Sequence, residues 1–337
     1  MMLPSGPSYD SEIGMRPMMV ASSTSFRNAQ ASYNHGPQGG CEDECAEEGC
    51  LDDDQCGAEN RPPKPENLFC GVDTRPLLPI GLSLSTVIGM VCMMLLQLPD
   101  LSRLMGISEV TTTCGCLAVY GVTLGCMTYC AFCDPGQLRK DSPKQAVFES
   151  SQSDGEGYER NMPQRAYKSW QYKRPVRRYD HYCRWLSNCI GLLNHREFFI
   201  MLMGLVSIGA IGVAVDVLLA ISVAGKGFWQ TELVLAMHLG YSVALLALAG
   251  PILRIHIGLV VRNETASEWK RNDFYVARSA KHGADVPVND LSDDEFNASF
   301  DKFIYDRRRN VFDRGPFKNC FAFWCLPRWD PQQRGEF

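Results

Sequence analysis

The sequence predicts an all-α polytopic membrane protein: four transmembrane helices, with a cytosolic domain between spans two and three that carries the candidate reactive residues. Three observations predict it. The apolar residues of the 337-residue chain are gathered in four long runs between polar ends, although the whole chain is only 45% hydrophobic with a net charge of −5. Positive charge is concentrated between the second and third runs. Directly before the third run, Asp180, His181 and Cys183 fall within four residues.

Residues 1–70 are rich in Ser, Pro, Gly, Asn and acid, show no periodicity and read as a disordered cytosolic tail. Met1 to Glu66 has no apolar h-region, so no secretory signal peptide is expected. The tail holds Cys41, Cys45, Cys50 and Cys56 in an acidic tract. Their loose spacing favours a solvated tract over a zinc site. Several of the fifteen cysteines lie inside apolar runs, where a thiol packs as a small hydrophobe, so mostly free thiols are expected.

The first run is Leu77 to Leu98, long enough at about 1.5 Å per residue to cross a bilayer core of about 30 Å. Pro99, Asp100 and Arg103 are expected to end it. The second run, Val110 to Phe132, is rich in small residues and stops at Cys133-Asp134-Pro135-Gly136. The third spans Phe198 to Ala224 and the fourth about Leu233 to Val261. Asp216 and His238 both fall near the luminal end of their spans and are expected to pair with each other or meet the interface. The long segment 133–197 carries a dozen Lys and Arg, against Arg103 and Lys226 in the two short turns. By the positive-inside rule it is cytosolic, and so are both termini. Residues 263–337 form a polar tail whose end, Asn310 to Trp329, mixes aromatic and basic residues. That end suits the membrane surface or the face of the central domain.

A thiol becomes a good nucleophile when a neighbouring imidazole removes its proton, and a carboxylate can fix the imidazole's tautomer. Asp180, His181 and Cys183 are therefore the candidate catalytic residues. Four motifs then agree in order: Asp134-Pro135-Gly136 after span two; Asp180-His181-Tyr182-Cys183 followed by Trp185, Asn188, Cys189, Gly191 and Asn194; Asn263 to Glu268 after span four; and Asn310 to Asn319. In these the chain resembles the DHHC-type protein S-acyltransferase (palmitoyltransferase) family, over residues 77–325.

The resemblance implies a two-step transfer. Palmitoyl-CoA would acylate Cys183, and the acyl group would then pass to cysteines of membrane-associated substrate proteins. His181 would act as base, oriented by Asp180. Lys173, Arg174, Arg177 and Arg178 would meet the phosphates of CoA or serve only topology and attraction to anionic lipid, and Gly115, Gly121, Gly125, Gly204 and Gly209 would leave room for the acyl chain. The bilayer is the other partner, and no nucleic acid is expected. A Golgi, endoplasmic reticulum or plasma membrane location would follow.

The family's central domain is also pinned by two zinc ions. Counted back from Asp180, the ligand positions fall on Gly155, Tyr158, Lys168, Ser169, Tyr172 and Pro175. Another is Tyr182, and only Cys189 keeps a ligand-type side chain. No zinc is therefore predicted, and aromatics such as Tyr167, Trp170, Tyr172, Tyr179 and Tyr182 are expected to form a core in its place. Two further departures are Arg184, where the family has Pro, and Ala266, where it has Thr. The alternative to an enzyme is a membrane scaffold of the same fold; the retained Asp, His and Cys favour the enzyme.

Overall fold

The computed structural model describes residues 68–69, 72–73, 76–138, 165–224, 226, 229–278, 285–291 and 302–328. The acidic cysteine tract, Gly155 and Tyr158 lie outside these residues.

Four helices are long and apolar enough to cross a membrane: Leu77–Met105, Glu109–Phe132, His195–Val223 and Trp229–Arg262. Each contains one of the apolar runs. Span one differs from the expectation. Pro99 does not end it, and the helix continues to Met105, where Gly106 closes it at φ 66°. A π-helical turn at Met93–Gln97 precedes the proline. Proline is tolerated near a helix start because it lacks only an N–H that would have no partner there. The turn makes Pro99 such a start for the segment Leu98–Met105.

Small residues set how closely the spans approach. A Cβ on Gly204 of span three would lie 2.0 Å from Thr123 Oγ1 of span two, and one on Gly209 would lie 2.8 Å from Leu246 Cγ of span four. Gly204 and Gly209 are thus packing contacts and leave no slot, while Gly115, Gly121 and Gly125 have nothing within 4 Å. Between these helices Tyr120, Met127, Leu202, Leu205, Leu245 and Ala249 form one apolar cluster, and Cys183 belongs to it.

Asp216 and His238 do pair, as Asp216 Oδ2 lies 2.7 Å from His238 Nδ1. The π turn brings in a third member that the sequence did not announce. Gln97 Nε2 donates to Asp216 Oδ1 at 2.8 Å, and the carboxylate is fully buried. Three spans are joined through one carboxylate, which offsets the penalty of holding it among apolar helices.

Outside the helices, His181–Cys183 and Asn188–Ile190 form an antiparallel hairpin, with Tyr182 opposite Cys189. Beyond span four, a helical turn at Ala266–Arg271 leads to a three-stranded sheet. Its central strand, Tyr275–Arg278, pairs on either side with Asp285–Pro287 and Lys302–Tyr305. A last helix, Pro316–Cys325, packs back on the bundle: Phe323 meets Phe199 at 5.8 Å, and Asn319 Nδ2 donates to Val261 O at 2.8 Å.

Candidate active site

The hairpin is anchored at both ends by side chains that satisfy backbone groups. Asp134 Oδ1 accepts from Gly136 N and Gln137 N, a local turn that ends span two. Gly136 at φ 112° turns its carbonyl to Arg177 N, and Pro135 O accepts from Leu193 N. Asn188 Nδ2 donates to the carbonyls of Cys130 and Cys133 at the end of span two. Asn194 closes the far end, accepting from Gly191 N and donating to Cys189 O. Gly191 itself has no room for a side chain, since a Cβ would lie 2.6 Å from Val176 Cγ1 and 2.8 Å from Pro135 O.

On this hairpin, His181 Nδ1 lies 2.7 Å from Asp180 Oδ2, and the Cys183 side chain is close enough to act on the same imidazole. Cys183 and Asp180 are buried and His181 is partly exposed. Burial opposes the charged imidazole, but the bonds to Asp180 and Cys183 outweigh it and raise His181 to about 10. Burial would likewise raise the Asp180 carboxyl, yet the imidazoles of His195 and His256 and the bond from His181 hold it well below the usual carboxylate range. All three candidate catalytic residues therefore meet.

Asp180 has a second anchor, the backbone N–H of Ala266, 2.8 Å from Oδ1. A backbone group makes this contact, so Ala in place of Thr leaves it intact. The N–H is presented by a capping box: Thr265 Oγ1 accepts from Glu268 N, and Glu268 Oε2 accepts from Thr265 N at 2.8 Å. Ser267 Oγ donates to Tyr179 O. Glu268 in turn holds Arg165 in a two-point pair at 2.7 and 2.6 Å. The Arg165 guanidinium also bonds Asn263 and lies 3.9 Å over the Phe312 ring. This couples the segment after span four and the C-terminal motif to the central domain. Local spacing carries no signal for Arg165, His195 or His256, all of which the sequence reading missed.

The four candidate CoA cations do not share one face. Arg178 is 1% exposed and turns inward, to His195 Nδ1 at 2.7 Å and Asn263 Oδ1 at 3.3 Å. Its φ of 45° directs it away from its neighbours. Its inward turn is a correction to the sequence reading: a guanidinium committed to these buried partners does not face a phosphate in solvent. Lys173 is exposed, and Arg174 and Arg177 are partly exposed.

At the family's zinc positions the described side chains are poor donors. Cys189 Sγ lies 3.2 Å from Ser169 Oγ and 3.4 Å from Gln171 Oε1, neither of them a zinc thiolate or imidazole. Lys168 Nζ donates to the carbonyls of Tyr172 and Lys173. Around Cys189 stand Val176, Tyr179, Tyr167, Tyr172 and Tyr182. Tyr167 stacks on Tyr179 at 4.8 Å, and Trp170 meets Tyr182 edge-on at 5.3 Å. Asp180, His181 and His256 do have donor atoms within 4.8 Å of one another and could hold an ion. The 2.7 Å hydrogen bond between the first two is that of a carboxylate–imidazole dyad.

Arg184 is exposed in the hairpin turn, and the Cys183–Asn188 register is kept beside it. Cys130 is buried and Cys325 exposed; burial pushes the Cys133 thiol up to about 11.

Comparison with known proteins finds similarity to one family. Residues 157–273 match the family model described as DHHC palmitoyltransferase. Palmitoyltransferase ZDHHC12 of Mus musculus is 30% identical over 168 residues, 49% of this chain and 52% of the mouse protein. Palmitoyltransferase ZDHHC18 of Homo sapiens is 32% identical over 127 residues, 35% of this chain and 30% of the human protein. Palmitoyltransferase AKR1 of Yarrowia lipolytica is 32% identical over 97 residues, 26% of this chain and 14% of the yeast protein. The chain thus spans about half or less of the length of these curated relatives. Residues 157–273 thus match the DHHC palmitoyltransferase family, in a chain whose four membrane-capable helices surround a hairpin that carries Asp180, His181 and Cys183.

Proposed function

We propose that the chain is a protein S-acyltransferase that moves a palmitoyl group from palmitoyl-CoA, through a thioester on Cys183, to a cysteine of a membrane-associated protein. The observation that carries this is the dyad: Asp180 bonded to His181 at 2.7 Å, with Cys183 as the other partner of the same imidazole. Asp180 and Cys183 both favour the protonated ring of His181, which supports a proton held beside the Cys183 sulfur and ready for transfer. The Cys183 thiolate attacks the thioester carbonyl, the bond to the CoA sulfur breaks, and the proton held by His181 goes to the departing thiolate. In the second step a substrate thiol gives its proton to His181 and attacks the acyl-enzyme, and Cys183 leaves and is reprotonated. Both steps exchange one thioester for another.

The apolar cluster that includes Cys183 runs into the helix bundle, which supports apolar surroundings for an acyl chain carried on that sulfur. With Arg178 turned inward, Lys173, Arg174 and Arg177 are the cations left for the CoA phosphates. The aromatic packing around Cys189 supports a central domain that folds without the family's zinc ions. The basic central segment supports a cytosolic placement of the hairpin and both termini.

Purified protein incubated with labelled palmitoyl-CoA tests the reading. Label should be retained, released by neutral hydroxylamine and absent from Cys183→Ser, with no zinc in metal analysis of the same sample. No label on folded wild type leaves the scaffold reading. Label on Cys183→Ser shifts the acceptor to another thiol, such as the exposed Cys325.

A further inference from the structure

Behind the dyad, on the side of the membrane helices, stand two more imidazoles: His195 opens span three and His256 lies in span four. Asp180 is fully buried, and an ionised carboxylate has about four lone-pair directions to satisfy. Ala266 N–H takes one on Oδ1 and His181 takes one on Oδ2. His195 Nε2 is 3.7 Å from Oδ1, and His256 Nδ1 is 4.0 Å from Oδ2. Both nitrogens are buried without a hydrogen-bond partner. An unpaired buried ring nitrogen is unfavourable, and the same carboxylate is within reach of each after a small adjustment.

Arg178 fixes the tautomer of one of them. His195 Nδ1 lies 2.7 Å from Arg178 Nη1, and a guanidinium only donates. Nδ1 therefore accepts, and the neutral ring carries its proton on Nε2, the atom turned to Asp180. Aromatic contacts hold both rings independently of the carboxylate. His195 meets Phe323 edge-on at 5.2 Å, and His256 meets Phe198 edge-on at 5.1 Å.

We infer that His195 and His256 are positioning residues, which clamp Asp180 from the membrane side and so fix the His181 ring for proton transfer with Cys183. The inference rests on acyl transfer through Cys183. His181 alternates between imidazole and imidazolium in each half-reaction, so the charge facing Asp180 changes at every step. A carboxylate bonded by Ala266 N–H and His181, and faced by His195 and His256 at 3.7 and 4.0 Å, keeps its orientation through that change. The titratable and charged groups around it are His181 and Cys183 on the hairpin, Arg178 before it, His195 and His256; the segment after span four presents only the Ala266 backbone N–H.

The test uses the full chain in detergent or nanodiscs, with His195→Phe and His256→Phe, which keep a ring and its edge contacts but remove the N–H. The maximal rate of autoacylation should fall about tenfold to a hundredfold, with KM for palmitoyl-CoA unchanged and the pH profile displaced. His195→Gln and His256→Asn, which return an N–H near the same place, should recover most of the loss. Wild-type rates and profiles in both Phe variants, or a rise in KM alone, overturn the inference. A second measurement does not depend on variant folding: nitrogen NMR of histidine-labelled wild type, with His195 assigned through His195→Gln. The Nε2–H tautomer is expected, and the Nδ1–H tautomer overturns the geometry. Wild type that takes no label sinks the acyl-transfer reading, and the role with it, whatever the tautomer.

Discussion

The pair between Arg165 and Glu268 should be the main energetic link from the central domain to the segment after span four. Both side chains are buried, at 3% and 7% exposure, and the pair is bidentate. Arg165→Met keeps the stem but leaves the Glu268 carboxylate facing only Thr265 N–H. Removing one partner of a buried ion pair costs about 3–5 kcal/mol, because the other charge stays buried and unpaired. For a domain of this size that corresponds to a melting temperature lower by roughly 6–20 °C. Arg165→Met with Glu268→Leu should recover at least half of the loss, since apolar replacement of both members removes the unpaired charge; the part not recovered is the capping box, worth about 0.5–2 kcal/mol. Autoacylation should fall with the single change, because Glu268 holds the turn that presents Ala266 N–H to Asp180. The assay is thermal unfolding in detergent of both single variants and the double. A single-variant loss below about 1 kcal/mol, or a double-variant loss equal to the sum of the singles, would refute the coupling.

Two further outcomes follow from the same geometry. His181 is raised from 6.5 to about 10, so its contribution to stability is fully present below pH 6.5 and is lost as pH rises through about 10. Asp180 and Glu268 are lowered, so theirs is present above their ordinary values of 3.8 and 4.5 and is lost as pH falls through the lowered ones. Melting temperature should therefore be highest between about pH 4.5 and 6.5, and His181→Gln should flatten the alkaline limb; an unchanged limb counts against the dyad. Gly191→Ala should destabilise by about 1–3 kcal/mol, because its Cβ meets the backbone oxygens of Pro135 and Arg177. Denaturation of the purified variant measures this, and a neutral result would mean the turn relaxes freely.

What could be read in the chain was what neighbours in sequence decide. The four apolar runs appear as spans because hydropathy over about 20 residues suffices to choose a bilayer. Asp180, His181 and Cys183 meet because a strand and its first turn keep them together. The Asp134 turn and the Thr265–Glu268 capping box are local hydrogen-bond patterns that the motifs already contain.

Only the tertiary structure decided the direction in which charged side chains point. Arg178 and Arg177 are neighbours in one basic run, yet Arg178 is buried against His195 and Asn263 while Arg177 stays partly exposed. The π turn that carries span one past Pro99, and brings Gln97 to Asp216, has no local signature in composition. His195 and His256 reach Asp180 from two different helices, and Arg165 reaches Glu268 across the central domain. Hydropathy and spacing act over one or two turns of chain, whereas these contacts are set by how the helices pack and by the need to satisfy each buried charge. The sequence by itself determined the spans and the nearness of Asp180, His181 and Cys183; packing determined which groups surround them.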